Sequence, residues 1–171
     1  MVSSRANHYE KAFADWLIDS RVPYIAVDEK KRSAFGNADI KSFDYILYPD
    51  HQHPVIAEIK GRKYKGSNLT KLTGLQTWVT RADLEGLARW QQLMGTSYRA
   101  AFIFAYHVES PDVDLDGRAF YEYRDRRYLF FAVALDEYLR YMKLRSPSWQ
   151  TVCLSAENFR RCAVQVQQLL R

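Results

Sequence analysis

Apolar positions recur at helical spacing from Asn7 to Asp19, where Tyr9, Phe13, Trp16 and Leu17 make one stripe and predict a helix. The period then changes. Pro23 to Asp28, carrying Tyr24, Ile25, Ala26 and Val27, predicts a strand, and Phe43 to Tyr48 predicts a second. Val55 to Lys60 is rich in β-branched and apolar residues and ends at Gly61, which predicts a third. The turn Pro49-Asp50-His51-Gln52-His53-Pro54 would make the second and third strands an antiparallel hairpin. Helical spacing returns behind Thr80-x-x-Asp83, a capping box ahead of Leu84, Leu87, Ala88 and Leu93, with Trp90 nearby. Arg99 to Val108 is almost continuously apolar, and a strand of that kind is buried on both faces, with helices above and below its sheet. Phe120 to Arg124 and Tyr128 to Ala134 predict a hairpin about Asp125-Arg126. A short helix over Asp136 to Lys143, an edge strand over Trp149 to Leu154 and a helix capped by Ser155 close the chain. The expected class is α/β.

Composition narrows the picture only a little. A chain of 171 residues with 47% hydrophobic and 15% aromatic content can bury one good core. A net charge of +5 favours an anionic partner but is non-specific alone. Cys153 and Cys162 lack metal-ligand spacing and read as reduced thiols. No basic-then-apolar leader and no apolar run near the ~18 residues of a membrane span is present, so a soluble, cytoplasmic protein without a membrane partner is expected.

The third strand carries the chemistry. Side chains alternate across a strand, so Glu58 and Lys60 share one face while Ala57 and Ile59 point the other way. Two residues of strand rise is about 6.6 Å, close enough for both heads to serve one small site. Asp44, on the neighbouring strand, can sit beside Glu58 at the open end of the hairpin. Paired carboxylates repel, and a divalent cation between them relieves the repulsion. A hard cation with an ammonium beside it suits phosphoryl transfer. Asp39 competes with Asp44 for the same role, but it sits in a polar Gly-Asn-Ala-Asp loop, whereas apolar residues flank Asp44. The stretch after Lys60 is strongly basic, with Arg62, Lys63, Lys65 and Lys71, no acid from Ile59 to Arg81, and Tyr64 and Trp78 interleaved. It reads as a loop that meets phosphates and stacks a base rather than as mere solvated surface. Asp112-x-Asp114-x-Asp116-Gly117 imitates a calcium loop but has Tyr123 where a bidentate glutamate is needed. A plain loop is the better reading.

Asp44 followed by Glu58-Ile59-Lys60 resembles the pattern of the PD-(D/E)xK nuclease superfamily, although Phe43 stands where the name has proline. The resemblance implies a restriction-endonuclease-like core of helix, three strands, helix and strand. That core would cover about residues 8–107 of a single domain 1–171, with a C-terminal hairpin and helical extension over about 108–171. It further implies metal-dependent phosphodiester hydrolysis of nucleic acid, DNA being the first expectation, with Mg²⁺ or Mn²⁺. Asp44, Glu58 and the carbonyl of Ile59 would hold the metal, and Lys60 would orient water. Resolvase-like members carry a helix-one glutamate that Glu10 matches, while Asn7-x-x-Glu10 also reads as a capping box. Gln76 falls where some members have a glutamine near the site. Junction and restriction enzymes of this kind commonly pair, so a homodimer is expected by resemblance. His8-Tyr9-Glu10-Lys11-Ala12-Phe13 also resembles the opening of an uncharacterised bacterial family, which adds no activity. The alternative is a catalytically silent nucleic-acid-binding module on the same fold. A third reading leaves Glu58 and Lys60 as a structural ion pair.

Overall fold

The computed structural model describes residues 8–27 and 41–171. Asn7, Asp28, the charged run 29–32 and Asp39 lie outside the described residues. The first helix, α1 (His8–Asp19), buries Ala12, Phe13, Trp16 and Leu17, the stripe its spacing predicts apart from half-buried Tyr9. β1 (Tyr24–Ala26), β2 (Tyr45–Leu47) and β3 (Val55–Tyr64) follow as an antiparallel meander, so the expected hairpin is present. A short β4 (Val79–Thr80) leads into α2 (Arg81–Met94), whose N-terminus closes with the Thr80–Asp83 capping box. Leu84 and Leu87 are buried on α2, but Leu93, expected in the stripe, is 54% exposed.

β5 (Arg99–Val108) pairs parallel with β3 over ten residues, and eight of its ten residues are buried, as its unbroken apolar run requires. β6 (Tyr121–Tyr123) and β7 (Arg126–Ala134) form the C-terminal hairpin. Its two-residue turn is Arg124-Asp125, one position earlier than expected. Both residues take positive φ (47° and 60°), and such a turn matches the twist of the flanking strands. α3 (Leu135–Tyr141), β8 (Lys143–Ser146), β9 (Thr151–Cys153), α4 (Ala156–Cys162), β10 (Val164–Gln165) and α5 (Val166–Leu169) complete the chain. Ser155 caps α4 as expected, accepting from the Asn158 N–H.

The main sheet runs β1-β2-β3-β5-β7-β10, with β6 on β7. A three-stranded sheet, β4-β9-β8, lies apart from it. β9 was expected at an edge; it is the central strand there, and Trp149 precedes it. One core, including Phe13, Trp16, Tyr45, Ala57, Ile59 and Tyr128, lies under α1. The other, with Phe102, Phe104, Tyr106, Leu84, Tyr138 and Phe159, lies under α2, α3 and α4. Both cysteines are free thiols. Among the described residues no helix is long and apolar enough to cross a membrane.

Candidate active site

β3 does not stop at Gly61. It continues to Tyr64, so Arg62 and Lys63 stand on the strand rather than on a loop. The glycine is needed for contact, not for termination: a Cβ at 61 would lie 2.2 Å from the Tyr9 ring of α1. The alternation expected for β3 holds. Ala57 and Ile59 pack under α1, while Ile56 and Tyr64 join the other core, which puts Glu58, Lys60 and Arg62 on the α2 side.

The β2–β3 register pairs Tyr45 with Ala57, and one further step brings Asp44 opposite Glu58. Asp44 is clasped from the same strand: its N–H donates to the Ala57 carbonyl at 3.0 Å, and its Oδ2 accepts from the Ile59 N–H at 2.7 Å. Glu58 is only 6% exposed. Lys60 Nζ donates to Glu58 Oε1 at 3.1 Å and lies 2.9 Å from Asp83 Oδ2. Lys41 closes the group, in contact with Asp83 and 4.0 Å from Glu58.

Lys41 and Asp83 are the residues that sequence reasoning missed. Asp83 reads as a helix cap, and it is one: Oδ2 accepts from the Thr80 N–H at 2.9 Å, and its own N–H donates to Thr80 Oγ1 at 3.0 Å. The same carboxylate, 4% exposed, faces the site and takes both lysines. The sequence signal for Lys41 is Gly86. A Cβ there would press on the Lys41 main chain at 3.0 Å, so the helix glycine lets the segment approach, and Trp90 Nε1 donates to the Lys41 carbonyl at 2.9 Å.

The two buried acids titrate in opposite directions. Burial, and then the charge of Asp44, push Glu58 up to about 7, against the pull of Lys60 and Lys41. Burial also opposes ionisation of Asp83, but Lys60, Lys41 and the Thr80 N–H outweigh it and hold the carboxyl at about 2. The difference follows from the company each keeps: Asp83 has two cations and a backbone donor, whereas Glu58 faces a second carboxylate.

This has a measurable consequence. A raised carboxyl pKa stabilises the fold below the ordinary glutamate value, and that contribution is lost as pH rises from about 4.5 to about 7. Asp83 works the other way, its contribution being lost only as pH falls toward about 2. In metal-free protein, the stability of the parent relative to Glu58→Gln should therefore fall by roughly 2–3 kcal/mol across the Glu58 window. Urea denaturation at a series of pH values checks it, and a flat difference would show that Glu58 is an ordinary ionised partner of Lys60.

The donor set suits a hard cation. Asp44 and Glu58, with the Ile59 carbonyl, offer only oxygen, and Glu58's raised pKa records a charge that a cation would relieve. Among the described residues no three of His, Cys, Asp and Glu gather to hold a metal. Mg²⁺ is commonly held through one or two carboxylates plus substrate phosphates, so two suffice. Glu10 stands in the first turn of α1, where its main-chain carbonyl accepts from Tyr45 Oη at 3.2 Å. Burial, then the charges of Glu10 and Asp44, push the Tyr45 phenol well up.

The basic residues divide. Arg62 turns inward: it donates to the Gly61 and Trp78 carbonyls at 2.9 and 2.6 Å and stacks 3.9 Å from the Trp78 ring. Tyr64 is buried and donates to the Asn68 carbonyl, so it is not a stacking platform. Lys63 is 61% exposed and pairs with Glu109 at 3.3 Å, and Lys65, Lys71 and Gln76 are exposed. Tyr9, Arg62, Lys63, Lys65, Asn68, Gln76 and Trp78 line a cavity of about 910 Å³ that continues along β3 from Lys60. Lys71 lies outside it. The loop at 112–117 is an ordinary turn: Asp114 accepts from the Leu69 and Asp116 N–H groups, and Asp116 pairs with Arg118.

No known family model matches the sequence, and no curated protein does. Among solved structures, Hjc, a Holliday junction resolvase from the archaeal hyperthermophile Archaeoglobus fulgidus, is similar with a TM-score of 0.55. The match spans 98% of this chain and 96% of that one at 11% sequence identity. The chain has a restriction-endonuclease-like α/β fold. In that fold the residue before β2, together with β3 and α2, brings Asp44, Glu58, Lys60 and Asp83 together at one place.

Proposed function

We propose that this protein is a metal-dependent nuclease that hydrolyses phosphodiester bonds, in DNA before RNA, with Asp44, Glu58 and Lys60 as its working groups. The observation that carries the reading is the buried Glu58 carboxyl, held up to about 7 beside Asp44 with Lys60 3.1 Å away on the same strand face. A carboxyl buried against another carboxyl is costly, and such pairs are kept where chemistry uses them. The solved resolvase of like fold supports nucleic acid as the substrate class.

Asp44, Glu58 and the Ile59 carbonyl would hold Mg²⁺ or Mn²⁺, which when bound supplies an acidified water and charge neutralisation at the scissile phosphate. Lys60, held from the other side by Asp83, presents its ammonium to the charge that develops on the phosphoryl oxygens. Asp83 keeps that ammonium off a lone pairing with Glu58. Glu10, whose charge reaches the Tyr45 phenol together with that of Asp44, would act as an outer acid. Lys63, Lys65 and Gln76 line the cavity along which a strand would run, with Lys71 beyond it. Action as a homodimer and a cytoplasmic setting belong to the same proposal.

One observation favours a second reading, that of a silent binding module. Both buried acids already have lysine partners, so Glu58, Lys60, Asp83 and Lys41 could persist as a closed ion-pair network. Incubation with labelled duplex, single-stranded, branched and RNA substrates in Mg²⁺, Mn²⁺ or chelator separates the two. Cleavage that needs metal supports the nuclease; binding without cleavage under all conditions supports the silent module.

A further prediction concerns affinity alone. Lys63→Gln with Lys65→Gln should weaken binding across sequences and make the dependence of log affinity on log salt shallower by roughly one to two units. An unchanged slope in a binding series from low to high salt would return both lysines to solvated surface.

A further inference from the structure

We propose that His8, His107, Lys63 and Arg126 form an anion site that takes a phosphate group of a nucleic-acid strand on the α1 side of the sheet. It rests on nucleic acid being the ligand, not on cleavage, so a silent module would keep it.

Three neighbouring strands bring the groups into one row. Lys63 of β3 pairs with His107 of β5, which pairs with Tyr128 of β7, and Tyr128 belongs to the core under α1. His8 opens α1 above that row. Its Nδ1 is 2.8 Å from the Tyr128 hydroxyl, and its ring stands edge-on to His107 with centroids 5.9 Å apart. If the Tyr128 hydroxyl donates to Nδ1, neutral His8 carries its proton on Nε2, an N–H that can donate to an anion. Arg126 begins β7 two residues before Tyr128 and so shares its face.

The charges are lopsided. Burial, then Arg126, His107 and Lys63, lower the pKa of His8. His107 is lowered by burial, Arg126 and Lys63, opposed only by Glu109, which itself pairs with Lys63. Tyr9 and Tyr128 also face the row, their phenol pKa values raised first by burial; Tyr123 of β6, paired with Arg126, acts on Tyr128, and Arg62 acts on Tyr9. Mutually repelling bases on a partly open surface are stabilised by an anion, and a phosphate would reverse the depression of both histidines. Tyr9 and Lys63 also line the 910 Å³ cavity, so the row stands at its rim.

The test is an NMR titration of all four histidine rings in chloride and in inorganic phosphate at matched ionic strength, with chelator present. His8 and His107 should titrate higher in phosphate, each unit of movement marking a tenfold tighter hold on the protonated form. His51 and His53, on the β2–β3 turn, report any general salt effect. No differential movement would overturn the site. A second arm measures binding of single-stranded oligonucleotides with and without a 5′-phosphate to the parent and to the His8→Gln/His107→Gln protein. A loss of about tenfold for both oligonucleotides identifies an internal phosphodiester as the ligand, and a loss confined to the phosphorylated one identifies a terminal phosphate. Equal binding by parent and variant overturns the proposal, whatever inorganic phosphate does.

Discussion

Lys60→Ala is expected to lower metal-dependent cleavage by about 100- to 1000-fold, the usual cost of removing one pre-aligned group that meets developing charge. The protein should stay folded, because Lys60 is largely but not fully buried and Lys41 remains to pair with both acids. Asp44→Ala and Glu58→Ala should be at least as damaging. If the three residues act on one phosphate, double variants should be little worse than the worst single one. Single-turnover rates at saturating metal decide it. Cleavage near the parent rate by Lys60→Ala would remove that residue from the mechanism.

Asp83→Ala should produce the largest loss of stability, about 3–5 kcal/mol by urea denaturation. It leaves Lys60 beside Glu58 alone, deprives Lys41 of its closest carboxylate and opens the cap at Thr80. The depressed Asp83 carboxyl points to the same order of stabilisation. Asp83→Asn separates the parts, since an amide oxygen can still accept from the Thr80 N–H. It should recover roughly 1 kcal/mol of the loss, the worth of a helix cap. A cost below 1 kcal/mol for Asp83→Ala would mean that water already screens the network.

Much of this was legible in the chain, and for definite reasons. The β2–β3 hairpin and the alternation of Glu58 and Lys60 against Ala57 and Ile59 follow from a period of two, which local sequence sets. The unbroken run Ala100–Tyr106 likewise announced a strand covered on both faces. The Thr80–Asp83 box was readable because a cap is a contact over three residues. Its second role was not, because the partners of Asp83 lie 42 and 23 positions away in sequence, at Lys41 and Lys60. Gly61 misled for a related reason. A glycine after an apolar run signals a strand end, yet here it makes room for Tyr9 of α1, 52 residues earlier. Arg62 reads as a phosphate contact by composition, but its two terminal nitrogens donate to the Gly61 and Trp78 carbonyls. The central place of β9 is not legible because neither partner announces itself: β4 has two residues, and β8 is the mostly polar Lys143-Leu144-Arg145-Ser146.

Whether Asp44 and Glu58 form a cation site or merely a set of ion pairs decides between the nuclease and the silent module. It is tested without any substrate by thermal melting of the parent and of Asp44→Asn, each in chelator and in millimolar Mn²⁺. Asp44→Asn removes one of two facing charges and keeps an oxygen that can accept from the Ile59 N–H. With a cation site, the metal-free variant should melt at or above the parent. Mn²⁺ should raise the parent's melting temperature, as a ligand of the folded state must, and raise the variant's much less. A variant destabilised by roughly 1–3 kcal/mol, as for a broken buried polar contact, with neither protein responding to Mn²⁺, would contradict it.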